Sequence, residues 1–220
     1  MLELSNITAG YERGKPVVRD MSLAVAAGEA VGLLGPTGCG KSTLARVAAL
    51  LHRPDAGTVV VAGTPVVGHR APRALRVTVG VVSQSPRLST GRGLRLRELI
   101  AEPLKATGRH IEIRERVDEL AHAVGLGGDL LTRAADDVSD GQLQRACLAR
   151  ALVLRPRLLI CDEMTTALDS STTAALVDAV ETYRRATRAS LLAVGHDRVL
   201  LDRWCDRTVT WGTPADRVPA

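Results

Sequence analysis

One glycine-rich segment, "GPTGCGKST", has the residue types and spacing of a phosphate-binding loop. The pattern G-x-x-x-x-G-K-S lies between an apolar run at 30–34 and the helical pattern "STLARVAALL". Glycines let backbone N–H groups face inward, the lysine supplies a charge for the β- and γ-phosphates, and the serine hydroxyl can bind Mg²⁺. A glycine-rich turn with a solvent-exposed lysine is the alternative. The segment predicts a site for a nucleoside triphosphate and Mg²⁺ formed by Gly35, Pro36, Thr37, Gly38, Cys39, Gly40, Lys41, Ser42 and Thr43.

A second segment, "RLLICDE" at 157–163, ends an apolar run with two acids. The carboxyl ends of parallel strands form the edge of an open α/β sheet where ligands bind. We expect Asp162 to hold Mg²⁺ through water, and Glu163 to act as the general base that polarises an attacking water. The alternative is the acidic start of a helix that follows a buried strand.

A third segment, "VSDGQLQRA" at 138–146, predicts the start of a helix. Ser139 and Gln142 have the spacing of a capping box, and the residues that follow have helical apolar spacing. Helix starts attract anions, because their unpaired N–H groups and the helix dipole both favour negative charge. Asp140 is unexpected at a site that would bind phosphate.

Alternating strand and helix patterns connect these segments. Apolar runs at 30–34, 77–83, 157–161, 190–195 and 207–211 predict strands, whereas 57–63 predicts an antiparallel ribbon. Between Pro86 and Arg155 the pattern is helical. We therefore expect an α/β fold of the P-loop NTPase (RecA-like) class, with a mostly parallel sheet core, an N-terminal antiparallel β ribbon and an inserted α-helical subdomain. The expected single domain spans 1–220, with a nucleotide-binding core at 1–84 and 156–220 and the helical subdomain at 85–155.

The composition of the chain argues against a nucleic-acid-binding, membrane-spanning, secreted or disulfide-linked protein. The net charge of +5 comes from scattered arginines, and aromatic residues form 2% of the chain, which favours a solvated basic surface over a nucleic-acid face. No apolar run reaches membrane-spanning length, and the N-terminus has no secretory pattern, so we expect a soluble cytoplasmic protein. The spacing of Cys39, Cys147, Cys161 and Cys205 favours reduced thiols over metal ligands or disulfides.

The order of these motifs resembles the ATP-binding subunit of an ABC transporter along essentially the whole chain. "GPTGCGKST" resembles its Walker A motif, "LLICDE" its Walker B motif, and "VSDGQLQRACLARAL" its signature motif. "TTALD" resembles the D-loop, and "VGHD" the switch-histidine segment. Val138 and Asp140 depart from the leucine and first glycine of the signature, and Met164 replaces a common proline.

The resemblance implies ATP and Mg²⁺ as cofactors, and it assigns roles to residues that spacing alone leaves open. Tyr11 would stack on adenine, Gln84 would sense Mg²⁺ and the attacking water, and His196 would hold the γ-phosphate, Glu163 and water in line. Lys41, Gln84, Glu163 and His196 would then be catalytic, and Ser42, Gln84 and Asp162 would be metal ligands. Taken alone, His196 and Tyr11 would be ordinary strand-end residues. Asp169 could simply cap a helix.

The resemblance also implies a head-to-tail dimer, in which Ser139, Gly141 and Gln142 contact the nucleotide of the other subunit and Asp169 links the two sites. Asp140 would lie in the first helical turn with its carboxylate turned sideways, away from that nucleotide. Cys39, inside the loop, is either a reactive thiolate or an inert small residue.

"SQSPRLSTGRGLRLRELIAEPL" looks like the equivalent part of peptide and nickel importer ATPases. The expected partners are a second ABC ATPase in a homodimer or heterodimer, transmembrane permease subunits and an extracytoplasmic solute-binding protein. The location would be the cytoplasmic face of the membrane, and no nucleic acid is expected. The alternatives are a P-loop small-molecule kinase and a non-transport ABC ATPase that acts on nucleic acid or ribosomes.

Overall fold

The computed structural model describes residues 1–12, 14–67, 71–91, 93–166 and 168–211. Residues 212–220, the end of the predicted core, lie outside the described residues. The strands of the described chain are β1 (Leu2–Ala9), β2 (Val18–Val25), β3 (Ala30–Leu34), β4 (Ala56–Val61), β5 (Thr64–Pro65), β6 (Val79–Val82), β7 (Leu158–Asp162), β8 (Ser190–Gly195) and β9 (Arg207–Thr210). The helices are α1 (Lys41–Ala48), α2 (Arg73–Arg76), α3 (Pro86–Ser89), α4 (Leu96–Thr107), α5 (Ile113–Ala123), α6 (Asp140–Leu152), α7 (Ser170–Thr187) and α8 (Arg198–Trp204).

The N-terminal sheet is antiparallel, with the strand order β2-β1-β4-β5. β1 lies between β2 and β4, and its Leu2 pairs with Val25 on one side and Val61 on the other. Apolar residues of β1 such as Leu2, Leu4 and Ile7 are buried, whereas residues between them are exposed. This alternation is typical of a sheet with one face on the core, and it confirms the predicted ribbon.

A second set of strands, β7, β8, β3 and β9, pairs in that order with every strand parallel. Nearly all residues of β3, β7 and β8 are buried, which explains their continuous apolar sequences. The predicted strand at 77–83 is shorter, because Val77 is the C-cap of α2 and only Val79–Val82 are extended. The predicted fold class, with its mostly parallel core, is confirmed.

The helical region contains α4, α5 and α6, which pack through buried apolar side chains such as Leu99, Leu104, Leu120 and Leu148. Arg116 of α5 is buried and donates hydrogen bonds to the carbonyl oxygens of Leu152 and Val153 at 3.2 and 3.4 Å. These are carbonyls that the end of a helix leaves without intrahelical partners. The side chain therefore fixes the end of α6.

The described chain forms two compact units. The first contains the described residues of 1–79, 157–163 and 188–211, and the second contains those of 80–156 and 164–187. The second unit thus includes α7 together with the segment predicted to be inserted. In the described part of the chain, no helix has the length and apolar character needed to cross a membrane.

Candidate active site

The glycine-rich loop connects β3 to α1 within the first unit. Gly40, immediately before α1, has a φ of 107°, a conformation that residues with a side chain rarely adopt. A Cβ atom at Gly35 would lie 2.5 Å from the carbonyl oxygen of Trp211. The backbone of the loop therefore requires glycine at both ends of the segment.

Lys41 points its ammonium group back into this loop. The side chain is 3% exposed, and Nζ donates hydrogen bonds to the carbonyl oxygens of Gly35 and Pro36 at 2.8 and 2.9 Å. Nζ also lies 3.6 Å from Oε1 of Glu163. A buried ammonium needs such partners, and the carbonyls hold the charge where a phosphate would meet it.

The other loop residues differ in their access to solvent. Pro36, Thr37 and Gly38 are exposed, Cys39 is half-buried, and Thr43 is buried in the first turn of α1. The tip of the loop is therefore accessible to a ligand, whereas its base is packed.

Ser42 and Asp162 meet at the end of β7. The hydroxyl of Ser42 donates a hydrogen bond to Oδ1 of Asp162 at 3.1 Å. Asp162 is buried, and burial raises the pKa of its carboxyl group above the ordinary value, with the charge of neighbouring Glu163 acting in the same direction. A hydroxyl and a buried carboxylate side by side are oxygen donors that suit a hard divalent cation such as Mg²⁺.

Glu163 follows β7 directly and has a φ of 49°, which is uncommon for a residue with a side chain. Its N–H donates to the carbonyl oxygen of Val194 in β8 at 2.9 Å. Its carboxylate lies between Lys41 and His196. Oε1 is 3.6 Å from Nζ of Lys41, and Oε2 is 3.6 Å from Nδ1 of His196. The turn after β7 and the end of β8 thus bring a carboxylate, an ammonium and an imidazole together.

Tyr11 lies shortly after β1, with its ring 57% exposed. Nη1 of Arg46 donates a hydrogen bond to the Tyr11 hydroxyl at 2.8 Å, and the guanidinium carbon is 5.8 Å from the ring centroid. The ring of His52 is tilted against Tyr11 at a centroid distance of 5.0 Å. Because Arg46 belongs to α1, the same helix that begins at Lys41 also supports this ring.

Within the second unit, Ser139 caps the start of α6. Its hydroxyl accepts a hydrogen bond from the Gln142 N–H at 3.2 Å, and its own N–H donates to Oε1 of Gln142 at 3.0 Å. The predicted capping box is therefore confirmed. We call Ser139, Asp140 and Gly141 the signature corner.

Asp140 lies in the first turn of α6, and its carboxylate is held at the side by Arg87 of α3. Nε of Arg87 donates to Oδ1 of Asp140 at 2.7 Å. The acid that is unusual in the signature corner is thus paired with a cation from a segment 53 residues earlier in the chain.

Gly141 packs against the start of α7, where a Cβ atom would lie 3.1 Å from Cγ2 of Thr172. Asp169 caps α7, because its carboxylate accepts hydrogen bonds from the Thr172 N–H at 2.8 Å and the Thr172 hydroxyl at 2.7 Å. Hydrogen bonds from Ser171 and Thr172 hold the pKa of Asp169 well below its ordinary value. Thr172 therefore connects Asp169 to the signature corner.

Gln84 is exposed and follows β6, also in the second unit. Gln144 of α6 is 1% exposed, and its Nε2 donates to the carbonyl oxygens of Ser83 and Met164 at 3.1 and 3.0 Å. Gln144 thus connects Ser83, which precedes Gln84, and Met164, which follows Glu163, to α6.

The first unit brings together Tyr11, the glycine-rich loop, Asp162, Glu163 and His196, whereas Gln84, Ser139, Gly141, Gln142 and Asp169 lie in the second. Sequence reasoning did not single out four residues that support these sites: Arg46, Arg87, Gln144 and Thr172. Their partners are 20 or more residues away in sequence for the first three. Only Thr172, three residues after Asp169, had a local signal in the capping pattern.

The family model described as "ABC transporter" matches residues 18–166. The nickel import ATP-binding protein NikE of Rhodospirillum rubrum is 36% identical over 204 residues, which cover 91% of this chain and 74% of that protein. The methionine import ATP-binding protein MetN of Cupriavidus metallidurans is 36% identical over 213 residues, covering 94% of this chain and 61% of that protein.

Among solved structures, the chain is similar to the ATP-binding cassette MJ0796 in a dimeric, post-hydrolysis state bound to ADP and Pi. The TM-score is 0.86 and the sequence identity is 26%, with 96% of this chain and 94% of that chain covered.

Proposed function

Because this chain belongs to the ABC transporter family and is an ATPase, we propose that it powers the import of a small solute such as a peptide or nickel. The observation that carries the catalytic part is the convergence of Lys41, Glu163 and His196 at one sheet edge. The import direction and solute class rest on similarity to importer ATPases and on the sequence between Gln84 and Leu104.

The residues at the end of β7 fit the metal ion that this chemistry uses. Ser42 and Asp162 offer hard oxygen donors 3.1 Å apart, and burial raises the pKa of Asp162 although the charges of Arg46 and Lys41 act in the opposite direction. We infer that these two residues hold Mg²⁺. When bound with ATP, Mg²⁺ would neutralise charge on the phosphate oxygens.

The hydrolytic roles follow from the contacts of Glu163. Lys41 binds the β- and γ-phosphates and exchanges its carbonyl partners for phosphate oxygens. Glu163 accepts a proton from the attacking water, and His196, 3.6 Å from the Glu163 carboxylate, orients that water and contacts the γ-phosphate. Tyr11 provides the stacking face for adenine.

The signature corner acts on the nucleotide of another subunit, as a homodimer or as a heterodimer with a related ATPase. Ser139, Gly141 and Gln142 would contact the γ-phosphate there, and Asp169 would link the two sites. Two features support this role: the N-terminal end of the 13-residue helix α6 favours anions, and the similar cassette MJ0796 is described as a dimer.

Transport requires membrane partners, and one pocket of the second unit is suited to them. It has a volume of about 290 Å³, and its lining includes Gln84, Leu88, Gln144 and Met164. Leu88 is 90% exposed beside it, an apolar side chain that a permease helix would cover. We propose that permease subunits dock there, with the chain at the cytoplasmic face of the membrane and a solute-binding protein outside.

The catalytic proposal is tested by the steady-state hydrolysis of ATP with Mg²⁺ and no phosphate acceptor. The parent should turn over ATP, whereas Glu163→Gln and Lys41→Met should not, although only Glu163→Gln should still bind ATP. Turnover that requires an added acceptor would instead support a kinase. Co-purification with permease subunits tests the transport part, and co-purification with ribosomes or nucleic acid would contradict it.

A further inference from the structure

Resting on the proposed role of the signature corner, we propose that Arg87 is a positioning residue that neutralises Asp140 and keeps its carboxylate away from the partner's nucleotide. Without Arg87, an unpaired acid would stand in the first turn of α6, where a triphosphate has to approach. The pair would then allow this chain to tolerate an acid between Ser139 and Gly141.

The guanidinium group of Arg87 contacts three acceptors around the signature corner. Nε donates to Oδ1 of Asp140 at 2.7 Å, Nη1 to the carbonyl oxygen of Ala135 at 3.2 Å, and Nη2 to that of Val138 at 2.9 Å. The planar fork of arginine reaches these three acceptors from three separate nitrogens, whereas the three donors of lysine all leave from one nitrogen. Arg87 therefore fixes both the carboxylate and the backbone that leads into Ser139.

The pair contributes little to folding. Arg87 and Asp140 are 46% and 67% exposed, and exposed ion pairs add little to the free energy of folding. The Asp140 carboxylate lies beside the proposed phosphate contacts, and repulsion between a carboxylate and phosphate oxygens at short range is strong even in partly screened surroundings. The consequence of losing Arg87 should therefore appear in nucleotide-dependent association rather than in stability.

A second contact, from Arg150, also holds α3 against α6. The loss of Arg87 can therefore be tested without detaching α3. Nη1 of Arg150, in α6, donates a hydrogen bond to the carbonyl oxygen of Ser89 at 3.0 Å, and its Nη2 lies 3.0 Å from Oε2 of Glu102. α3 thus stays bound to α6 when Arg87 is truncated. An Arg87→Ala variant should retain the fold of this region.

The chain offers a matched control. Nη2 of Arg97 contacts Oδ1 of Asp118 at 2.6 Å, and their exposed fractions, 42% and 48%, resemble those of the Arg87–Asp140 pair. Both pairs lie in the second unit, and Arg97 contacts a residue of α5 rather than the signature corner. Arg97→Ala removes one surface cation and one ion pair, as Arg87→Ala does, without exposing an acid beside Ser139.

The experiment measures ATP-dependent dimerisation by sedimentation in the Glu163→Gln background, together with KM and kcat for ATP in the unmodified background. Arg87→Ala should weaken dimerisation on the order of tenfold at low salt and raise KM, since a lost charge partner exposes repulsion. The deficit should shrink in about 0.5 M salt, because ions screen exposed charges. Adding Asp140→Asn should restore dimerisation, while Arg97→Ala should match the parent.

The outcomes separate this inference from the proposed function. If Glu163→Gln remains monomeric with ATP, the proposed role of the signature corner fails and the inference fails with it. If it dimerises but Arg87→Ala dimerises equally well, or Asp140→Asn gives no rescue, Arg87 does not act through the charge of Asp140. A melting temperature lowered equally with and without Asp140→Asn would assign Arg87 a purely structural role.

Discussion

Replacing Asp162 by asparagine should stabilise the protein in the absence of metal, although it should abolish turnover. Burial raises the pKa of Asp162 above the ordinary value of 3.8, so the folded state holds a proton more tightly than the unfolded state. Folding stability therefore falls as the pH rises from 3.8 through the raised pKa, and the loss is complete above it. At neutral pH the metal-free protein carries the full cost of this buried charge.

The expected gain in the free energy of unfolding depends on which interactions of Asp162 are lost in asparagine and which are kept. It removes the charge and the repulsion from Glu163, yet it keeps a carbonyl oxygen that can accept the Ser42 hydrogen bond, now 3.1 Å long. Relief of one unfavourable interaction stabilises a protein by about 0.5–2 kcal/mol. For a chain of this size, about 1 kcal/mol raises the melting temperature by about 2–4 °C.

The assay is thermal unfolding near neutral pH with a chelator and no nucleotide, accompanied by ATP turnover with Mg²⁺. Asp169→Asn is the matched control with the opposite sign, since hydrogen bonds from Ser171 and Thr172 lower the pKa of Asp169. That stabilisation is present above 3.8 and is lost as the pH falls through the lowered pKa, so Asp169→Asn should lower the melting temperature. A lower melting temperature for Asp162→Asn as well would refute the reasoning.

Three further predictions concern other parts of the site. Gly141→Ala should reduce turnover at least about tenfold, because the added Cβ would lie 3.1 Å from Cγ2 of Thr172. Thr172→Ser deletes that methyl group, so adding it to Gly141→Ala should restore part of the lost turnover. Thiol reagents should inactivate the enzyme at half-buried Cys39, with protection by MgATP and resistance in Cys39→Ser; equal labelling of Cys39 with and without MgATP would contradict this. Tyr11→Ala should raise KM for ATP about 5- to 150-fold, the range expected for losing base stacking, whereas Tyr11→Phe should not.

The sequence predicted features that depend on local spacing. The glycine-rich loop, the acids that end β7 and the capping box of α6 each occupy a few consecutive residues, so backbone geometry fixes their neighbours. The parallel strands were also predictable, because strands buried on both faces have continuous apolar sequences. The shortened β6 was not, since nothing in the apolar run indicates that Val77 ends α2 as its C-cap and that only Val79–Val82 are extended.

The contacts that were not predictable join distant segments. Nothing in "SPRLS" indicates that Arg87 faces Asp140, and nothing near "LQRA" indicates that Gln144 reaches the carbonyl oxygens of Ser83 and Met164. The sideways orientation of Asp140 was expected, but the cation that holds it was not. Such side-chain contacts depend on how α3, α6 and the residues after β7 pack, which short-range patterns do not encode.

The central claim is that the signature corner of one subunit completes the nucleotide site of another. Sedimentation of Glu163→Gln with and without ATP, with Mg²⁺ present, measures this most directly. The account predicts a monomer without ATP and a dimer with ATP, and it predicts that a bulky Ser139→Phe replacement prevents the dimer while ATP binding persists. A parent enzyme that hydrolyses ATP at full rate while strictly monomeric would contradict the claim.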